Sequence, residues 1–215
     1  MENVFFKPWV GENYFENGFN GKKILVLGDS HYCEHYDDCE VCGDISRQAE
    51  CKADNLTQGV VESFIEYKQG YGYRPWMISY KKFTDVLLGE KVPNNVAIDF
   101  WNSIVFYNYV QKAQKGPGIS PTQEDYENSH NAFVEILEEY QPDLVMVWGW
   151  RLWEKIVKFG TKSDFNIVEN RDLRFYYFDI NRKKIPACCG MPHPSSAAFI
   201  EDWIPPYLQE AIKLA

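Results

Sequence analysis

The segment Ile24-Leu25-Val26-Leu27-Gly28-Asp29 is the strongest indication of the architecture of this chain. An uninterrupted apolar run that ends in glycine is typical of a central parallel strand, which is buried on both faces and therefore lacks the alternation of a surface strand. Similar runs recur at 143–149 and 185–190. Helical segments separate these runs, and this alternation predicts right-handed βαβ units in an α/β fold.

The spacing of apolar residues predicts five helices, at 55–67, 80–88, 122–140, 150–159 and 203–214. Thr122 after Pro121 is a good helix start, and Gln141-Pro142 is a good stop. We find neither an internal repeat nor a low-complexity linker, so we expect one domain spanning 1–215. The predicted architecture is a three-layer α/β/α sandwich.

The composition indicates a folded protein with a substantial core. The chain has 215 residues, of which 45% are hydrophobic and 16% aromatic, and these values exclude a disordered chain. The stretch from Met1 to Trp9 does not have the pattern of a targeting segment, and no apolar run approaches the roughly 18 residues of a membrane span. We therefore expect a soluble, cytoplasmic protein.

Two short polar loops hold the candidate functional residues. The first runs from Gly28 to Tyr32, and the second is His193-Pro194-Ser195-Ser196. Each follows a predicted strand, so both should lie at the sheet edge where open α/β folds bind ligands. Pro192 and Pro194 remove two backbone donors and favour an extended conformation of His193 between them. Taken alone, this loop is explained equally simply as an ordinary proline turn.

Together these loops resemble the uracil-DNA glycosylase superfamily, whose members carry a Gly-led loop after the first strand and a His-Pro-Ser loop after the last. Arg74-Pro75-Trp76 is similar to the family's Pro-aromatic segment, and 104–110 is similar to its second strand, which ends in an asparagine. The resemblance spans residues 23 to 200. It implies a central, mainly parallel four-stranded sheet.

The resemblance also implies a reaction, the hydrolysis of the N-glycosidic bond of uracil or a related deaminated base flipped out of DNA. Trp76 would stack on the base, and the Asn108 amide, which has a donor and an acceptor, would read its edge. His193 would donate a hydrogen bond to the negative charge that develops on the departing base, and Asp29 would orient water and offset the sugar cation. The other expected pocket residues are Gly28, Ser30, Tyr32 and Ser195.

Several positions depart from the family pattern. Ser30 stands where some branches place an acid or an asparagine, and Ala197-Ala198 stands where a bulky wedge often follows, which leaves Phe199 as the candidate DNA wedge. Asn102 is a weaker alternative to Asn108. The net charge of −9 opposes attraction to phosphates, so a DNA enzyme would have to concentrate its cations, and the candidates lie between Arg171 and Lys184.

An insertion at about 31–54 is rich in cysteine. It contains Cys33, Cys39, Cys42 and Cys51, and Cys39-Glu-Val-Cys42 is a C-x2-C pair suited to one tetrahedral ion. We expect one structural zinc ion, with an iron-sulfur cluster less favoured, and no cofactor for catalysis. Reduced thiols without a metal, or disulfides in an exported chain, are the alternatives. Cys188 and Cys189 are expected to pack in a strand.

Two other functions stay open. The segment Ile24 to Ser30 also resembles the opening of Gly-Asp-Ser-Leu esterases, in which Ser30 would be the nucleophile and His193 the base. Those enzymes usually carry an aspartate three residues before the histidine, where this chain has Gly190. The third possibility is a non-catalytic binder of nucleotides, nucleic acid or protein. The glycosylase interpretation implies a monomer that binds DNA containing a modified base, because one flipped nucleotide needs one pocket.

Overall fold

A computed structural model describes residues 1–35, 37, 39–89, 92–116, 118–188, 191–200 and 202–215, and omits the side chains of 163–165 and 200. The predicted α/β class is confirmed, since strands and helices alternate along most of the chain. The strands are β1 Trp9–Val10, β2 Ile24–Gly28, β3 Val105–Asn108, β4 Leu144–Val147, β5 Thr161–Val168, β6 Arg171–Ile180 and β7 Lys183–Cys188. The α-helices are α1 Leu56–Lys68, α2 Ile78–Leu88, α3 Asn94–Trp101, α4 Gln123–Asn128, α5 His130–Tyr140, α6 Trp150–Ile156 and α7 Ile204–Leu214.

The described strands form one mixed sheet with the order β1-β3-β2-β4-β7-β6-β5. Its centre is parallel, because β3, β2, β4 and β7 run in the same direction. β1 adds an antiparallel edge beside β3, and β5 and β6 extend the other side as an antiparallel meander. The expected four-stranded sheet is therefore wrong in extent. Continuous apolar runs identify doubly buried parallel strands, whereas β6 alternates between buried and exposed residues.

Helices cover both faces of this sheet. Ile24 and Val26 of β2 point into a core that includes residues of α1, α2, α3 and α7. Leu25 and Leu27 point the opposite way, into a core built with α5 and α6. Successive side chains of a strand face opposite sides, so one short apolar segment anchors both layers.

Most predicted helices are present, with different bounds. Thr122 caps α4 as expected, because its Oγ1 accepts a hydrogen bond of 3.1 Å from the Asp125 amide. The single helix predicted at 122–140 is divided at Ser129, whose Oγ donates to the Asp125 carbonyl over 2.6 Å and accepts from the Gln111 amide over 2.9 Å. Among the described residues, no helix has the length and apolar character that a membrane crossing requires.

Candidate functional site

The parallel register brings the polar loops to one edge of the sheet. Gly28 and Asn108 are direct partners at the ends of β2 and β3. The chain beyond them stays paired, because the Val110 amide donates to the Asp29 carbonyl over 2.9 Å and the Trp148 amide donates to the Leu27 carbonyl over 2.9 Å. The predicted edge is thus where the segments after β2, β3 and β4 meet.

Asp29 is buried and held at both carboxylate oxygens. Oδ1 accepts a hydrogen bond of 2.8 Å from the Tyr126 hydroxyl, and Oδ2 accepts one of 2.6 Å from Arg151 Nε. Arg151 lies in the first turn of α6 and also donates to Ser120 Oγ over 2.7 Å. These bonds fix the carboxylate in one orientation. Neither Arg151 nor Tyr126 was predicted as a site residue, and only the position of Arg151 just after β4 marked it in the sequence.

Asn108 is buried and oriented by His31. Its Nδ2 lies 3.1 Å from His31 Nδ1, and His31 Nε2 lies 2.9 Å from Thr57 Oγ1. Burial lowers the pKa of His31 to about 3, so the imidazole is neutral near pH 7. Asn108 Nδ2 also lies 3.3 Å from His31 Nε2, and because an amide nitrogen only donates, it bonds to the ring nitrogen that carries no proton. This histidine, which positions the asparagine, was not among the predicted site residues.

His193 packs at the same edge as Asp29. Its ring meets Trp148 edge-on with centroids 5.8 Å apart, and its Cβ lies 3.0 Å from the position that a Cβ on Gly149 would occupy. Burial lowers the pKa of His193 to about 4, while Asp29 raises it and Arg151 lowers it. The charges of both residues therefore act on the ring, so the two predicted loops lie within electrostatic reach of each other at the same edge.

The tautomer of His193 follows from its hydrogen bonds. Nδ1 accepts from the Ser195 amide over 3.1 Å and lies 2.8 Å from Ser195 Oγ. A neutral ring whose Nδ1 accepts must carry its proton on Nε2, so that nitrogen is a donor. This state suits stabilisation of an anion. It does not suit the esterase alternative, which needs an unprotonated nitrogen facing Ser30, and no His193–Ser30 hydrogen bond occurs in the described part of the chain.

An aromatic path links Trp76 to His193. Trp76 is 37% exposed and meets Tyr80 edge-on at 5.7 Å. Tyr80 in turn contacts Trp148 at 5.5 Å, and Trp148 contacts His193. Trp76 is therefore a partly exposed ring that two other aromatic rings, Tyr80 and Trp148, connect to His193. Among the remaining predicted pocket residues, Tyr32 is 47% exposed and interacts with Arg151, Ser30 is half-buried and Ser195 is exposed.

Two predictions for this site are wrong. Phe199 is fully buried and packs 6.4 Å from Phe83, because the 3-10 helix Ala197–Ile200 turns it into the core, so it is not a wedge. Asn102 precedes β3 and thus lies at the opposite edge of the sheet, which removes it as an alternative to Asn108.

The predicted basic segment is divided between the two edges. Phe175 pairs with Cys188 and Ile180 pairs with Lys183. Arg171 and Arg174 therefore lie towards the edge of the candidate site, whereas the cations at 182–184 lie at the far edge. Lys183 there forms an ion pair with Asp143. The segment does not form one continuous basic surface.

The four cysteines of the insertion lie close together. Cys33, Cys42 and Cys51 share an apolar cluster with Phe5 and Phe6, and Cys39 acts electrostatically on both Cys42 and Cys51. All of them are free thiols. Within the described ranges, no three His, Cys, Asp or Glu side chains already stand at the spacing of metal ligands. Cys188 is buried in β7 as expected, and Cys189 and Gly190 lie outside the described residues.

The neutral state of His31 predicts a pH-dependent stability. Its pKa falls from 6.5 in the unfolded chain to about 3 in the fold, so the unfolded state binds more protons as the pH drops below 6.5. Relative to His31→Gln, the native chain should lose about 1.4 kcal/mol of unfolding free energy per pH unit in this range. Urea unfolding at pH 7, 6, 5 and 4 measures the difference.

His193 is present in both proteins, so its own titration cancels in that comparison. Equal pH slopes for the two proteins would contradict the assignment of a neutral, buried His31.

Comparison with protein family models and with curated proteins finds no match for this chain.

Proposed function

We propose that the chain is a DNA base-excision glycosylase that hydrolyses the N-glycosidic bond of uracil or a related deaminated base. The observation that carries the proposal is that Asp29, Asn108 and His193 lie at the same carboxyl edge of the parallel strands, where the charge of Asp29 acts on His193. Cleavage of this bond leaves negative charge on the base and positive charge on the sugar. A neutral donor and a fixed carboxylate on one edge are suited to these two charges.

His193 would stabilise the departing base. Its Nε2–H donates to the base oxygen as that oxygen gains charge, and such stabilisation of a charge absent from the ground state lowers the barrier. Because its pKa is about 4, the ring is neutral near pH 7 and keeps the Nε2–H that donates. The Ser195 amide holds the ring in the required tautomer.

Asp29 would act on the sugar side. Tyr126 and Arg151 hold one oxygen each, so the carboxylate keeps a defined direction. In that position it offsets the oxocarbenium charge electrostatically and orients the attacking water through its remaining lone pairs. Because Tyr126 and Arg151 each occupy one oxygen, we assign Asp29 to the orientation of water rather than to its deprotonation.

Asn108 would read the edge of the base. One N–H of its amide is used by His31, which leaves a second N–H and Oδ1. This pair matches a carbonyl and an N–H of a pyrimidine ring. Because His31 and Thr57 fix the plane of the amide, recognition does not require the ordering of a mobile side chain.

Local cations offset the acidic balance of the chain near this edge. Arg74 lies beside Trp76, Arg151 is about half exposed, and Lys82 Nζ donates to the Ser196 carbonyl of the histidine loop over 3.1 Å. This small number of cations is suited to a short contact with the phosphates around one flipped nucleotide. Binding should weaken as salt rises, with a log–log slope of about −0.7 per phosphate contact on single strands.

The test is base release from oligonucleotides that contain uracil, hypoxanthine or xanthine, each in single-stranded and double-stranded form. We expect an alkali-labile abasic site from at least one of them. If the protein binds DNA but releases no base, the result would favour a non-catalytic binder over the glycosylase. Absence of both binding and cleavage would refute the proposal.

Trp76→Ala should raise the KM for the preferred substrate by about tenfold or more, because stacking of a base on an aromatic ring contributes about 1–3 kcal/mol. Steady-state kinetics on a labelled oligonucleotide measure it. Trp76→Phe should keep most of the affinity. The matched control is Phe15→Ala, because Phe15 is 57% exposed and lies beside Lys23 at the far edge of the sheet. An equal effect of both alanine variants would argue against stacking by Trp76.

A further inference from the structure

The cysteine insertion brings together sulfur atoms from separate backbone segments. Cys33 continues the loop after β2, Cys39 and Cys42 form the C-x2-C pair, and Cys51 follows the 3-10 helix Ile45–Glu50. Electrostatic interactions connect Cys42 with each of the other three thiols. Four free thiols in one insertion supply the donor types of a structural tetrahedral metal site, and Cys33, Cys42 and Cys51 pack in the same apolar cluster.

Backbone amides already point at two of these sulfurs. The Ala113 amide donates to Cys42 Sγ over 3.1 Å, and the Ala53 amide donates to Cys51 Sγ over 3.4 Å. Hydrogen bonds of this kind stabilise the negative charge of a metal-bound thiolate. The apolar floor formed by Phe5 and Phe6 limits the access of water to the cluster. These contacts form the outer shell that a buried metal centre needs.

The chemistry of the donors selects the ion. An all-thiolate tetrahedral set in a short polar insertion favours Zn²⁺ over oxygen-preferring cations such as Mg²⁺ and Ca²⁺. Each thiol would lose its proton on binding, and the attraction of the ion would offset the cost of burying the resulting thiolates. The thiols would rotate towards a common centre, since they do not yet stand at ligand spacing in the described ranges.

The cluster is joined directly to the candidate active site. Tyr32 pairs with Gln114, the Gln114 amide donates to the His31 carbonyl over 2.7 Å, and the Cys33 amide donates to the Gln114 carbonyl over 3.3 Å. The segment around Gln114 follows β3, which ends in Asn108. A metal held by Cys33 and Cys42 would stabilise the insertion after β2, and the hydrogen bond from the Ala113 amide to Cys42 Sγ would extend this effect to the segment after β3.

We propose that Cys33, Cys39, Cys42 and Cys51 bind one Zn²⁺ ion, and that this ion clamps the two segments that position Asp29, His31 and Asn108. The metal would take no part in chemistry. Only the effect on catalysis rests on the glycosylase proposal, whereas metal binding and the ordering of the segments are independent of it.

The first test is elemental analysis of the purified full chain. We expect about one zinc per chain, loss of that zinc in Cys42→Ser and in Cys51→Ser, and retention in Cys188→Ala, which removes a buried thiol outside the cluster. Thiol reagent should modify four fewer cysteines in the zinc-loaded protein than after chelation. Absence of zinc together with equal thiol reactivity before and after Zn²⁺ addition would overturn the site. Stoichiometric iron with visible absorption would also overturn it, in favour of an iron-sulfur cluster.

Hydrogen exchange tests whether the zinc ion orders the two segments. Hydrogen exchange of amides in 29–33 and 109–114 should become faster when zinc is removed by a chelator, and should return to its original rate after Zn²⁺ is added back. Exchange in β6 serves as the internal control, because this strand lies on the other side of the sheet. Unchanged exchange in both segments would refute the clamp even if zinc is bound. Because this readout does not use DNA, a failure of the glycosylase proposal would not affect it.

Discussion

His193→Ala should lower the kcat for base release by about 10²–10³-fold, because one preorganised donor to a developing anion contributes on this order. Single-turnover cleavage of the preferred oligonucleotide measures the chemical step directly. The KM should change little, since the donor acts on charge that appears only in the transition state. The control is Ser195→Ala, which removes the 2.8 Å hydroxyl contact but leaves the Ser195 amide bond to Nδ1. It should lose far less activity.

The same experiment tests the protonation state of His193. A ring with a pKa of about 4 stays neutral throughout the neutral range, so the wild-type rate should show no break near 6.5. An inflection at that pH that disappears in His193→Ala would contradict a neutral donor. A kcat in His193→Ala within a few fold of wild type would remove His193 from the mechanism.

Gly28→Ala should destabilise the fold by about 1–3 kcal/mol and should also reduce activity strongly. A Cβ at this position would lie only 2.1 Å from Asn108 Oδ1 and 3.2 Å from Phe106 Cζ. Asn108 cannot move away freely, because its amide is bound to His31 and His31 is bound to Thr57. A displacement of about 1 Å at a positioning group can cost about 100-fold in rate.

Urea unfolding and initial cleavage rates measure the two effects. The matched control is Gly59→Ala in α1, where nothing lies within 4 Å of the added atom. This change should stabilise the helix by about 0.5–1 kcal/mol and leave activity unaltered. Wild-type stability and activity in Gly28→Ala would show that the end of β2 is not closely packed against Asn108.

The central strands and the polar edge could be predicted from the sequence because their signals are local. Ile24 to Gly28 is apolar without interruption, which identifies a parallel strand. The residues that directly follow such strands must lie at the same edge of the sheet. The antiparallel additions were harder to predict. β1 has two residues, and the alternating pattern of β6 resembles that of any solvent-facing strand.

The hydrogen-bond partners within the site could not be predicted. Arg151 reaches Asp29 across a separation of 122 residues, and Asn108 reaches His31 across 77. No local pattern encodes such contacts, which depend on how helices pack over the sheet. The error at Phe199 has the same origin, because the 3-10 helix that buries it is set by packing against α2.

The strand order has a consequence for synthesis of the chain on the ribosome. β2 pairs Leu25 with Val105 and Val26 with Met146, so its partners are translated long after it. The hairpins that join β5, β6 and β7 close over short loops and can form as soon as they emerge. The nascent N-terminal half therefore exposes an apolar, aggregation-prone segment until the centre of the sheet is complete. Chaperone dependence during expression should accordingly map to the region around β2.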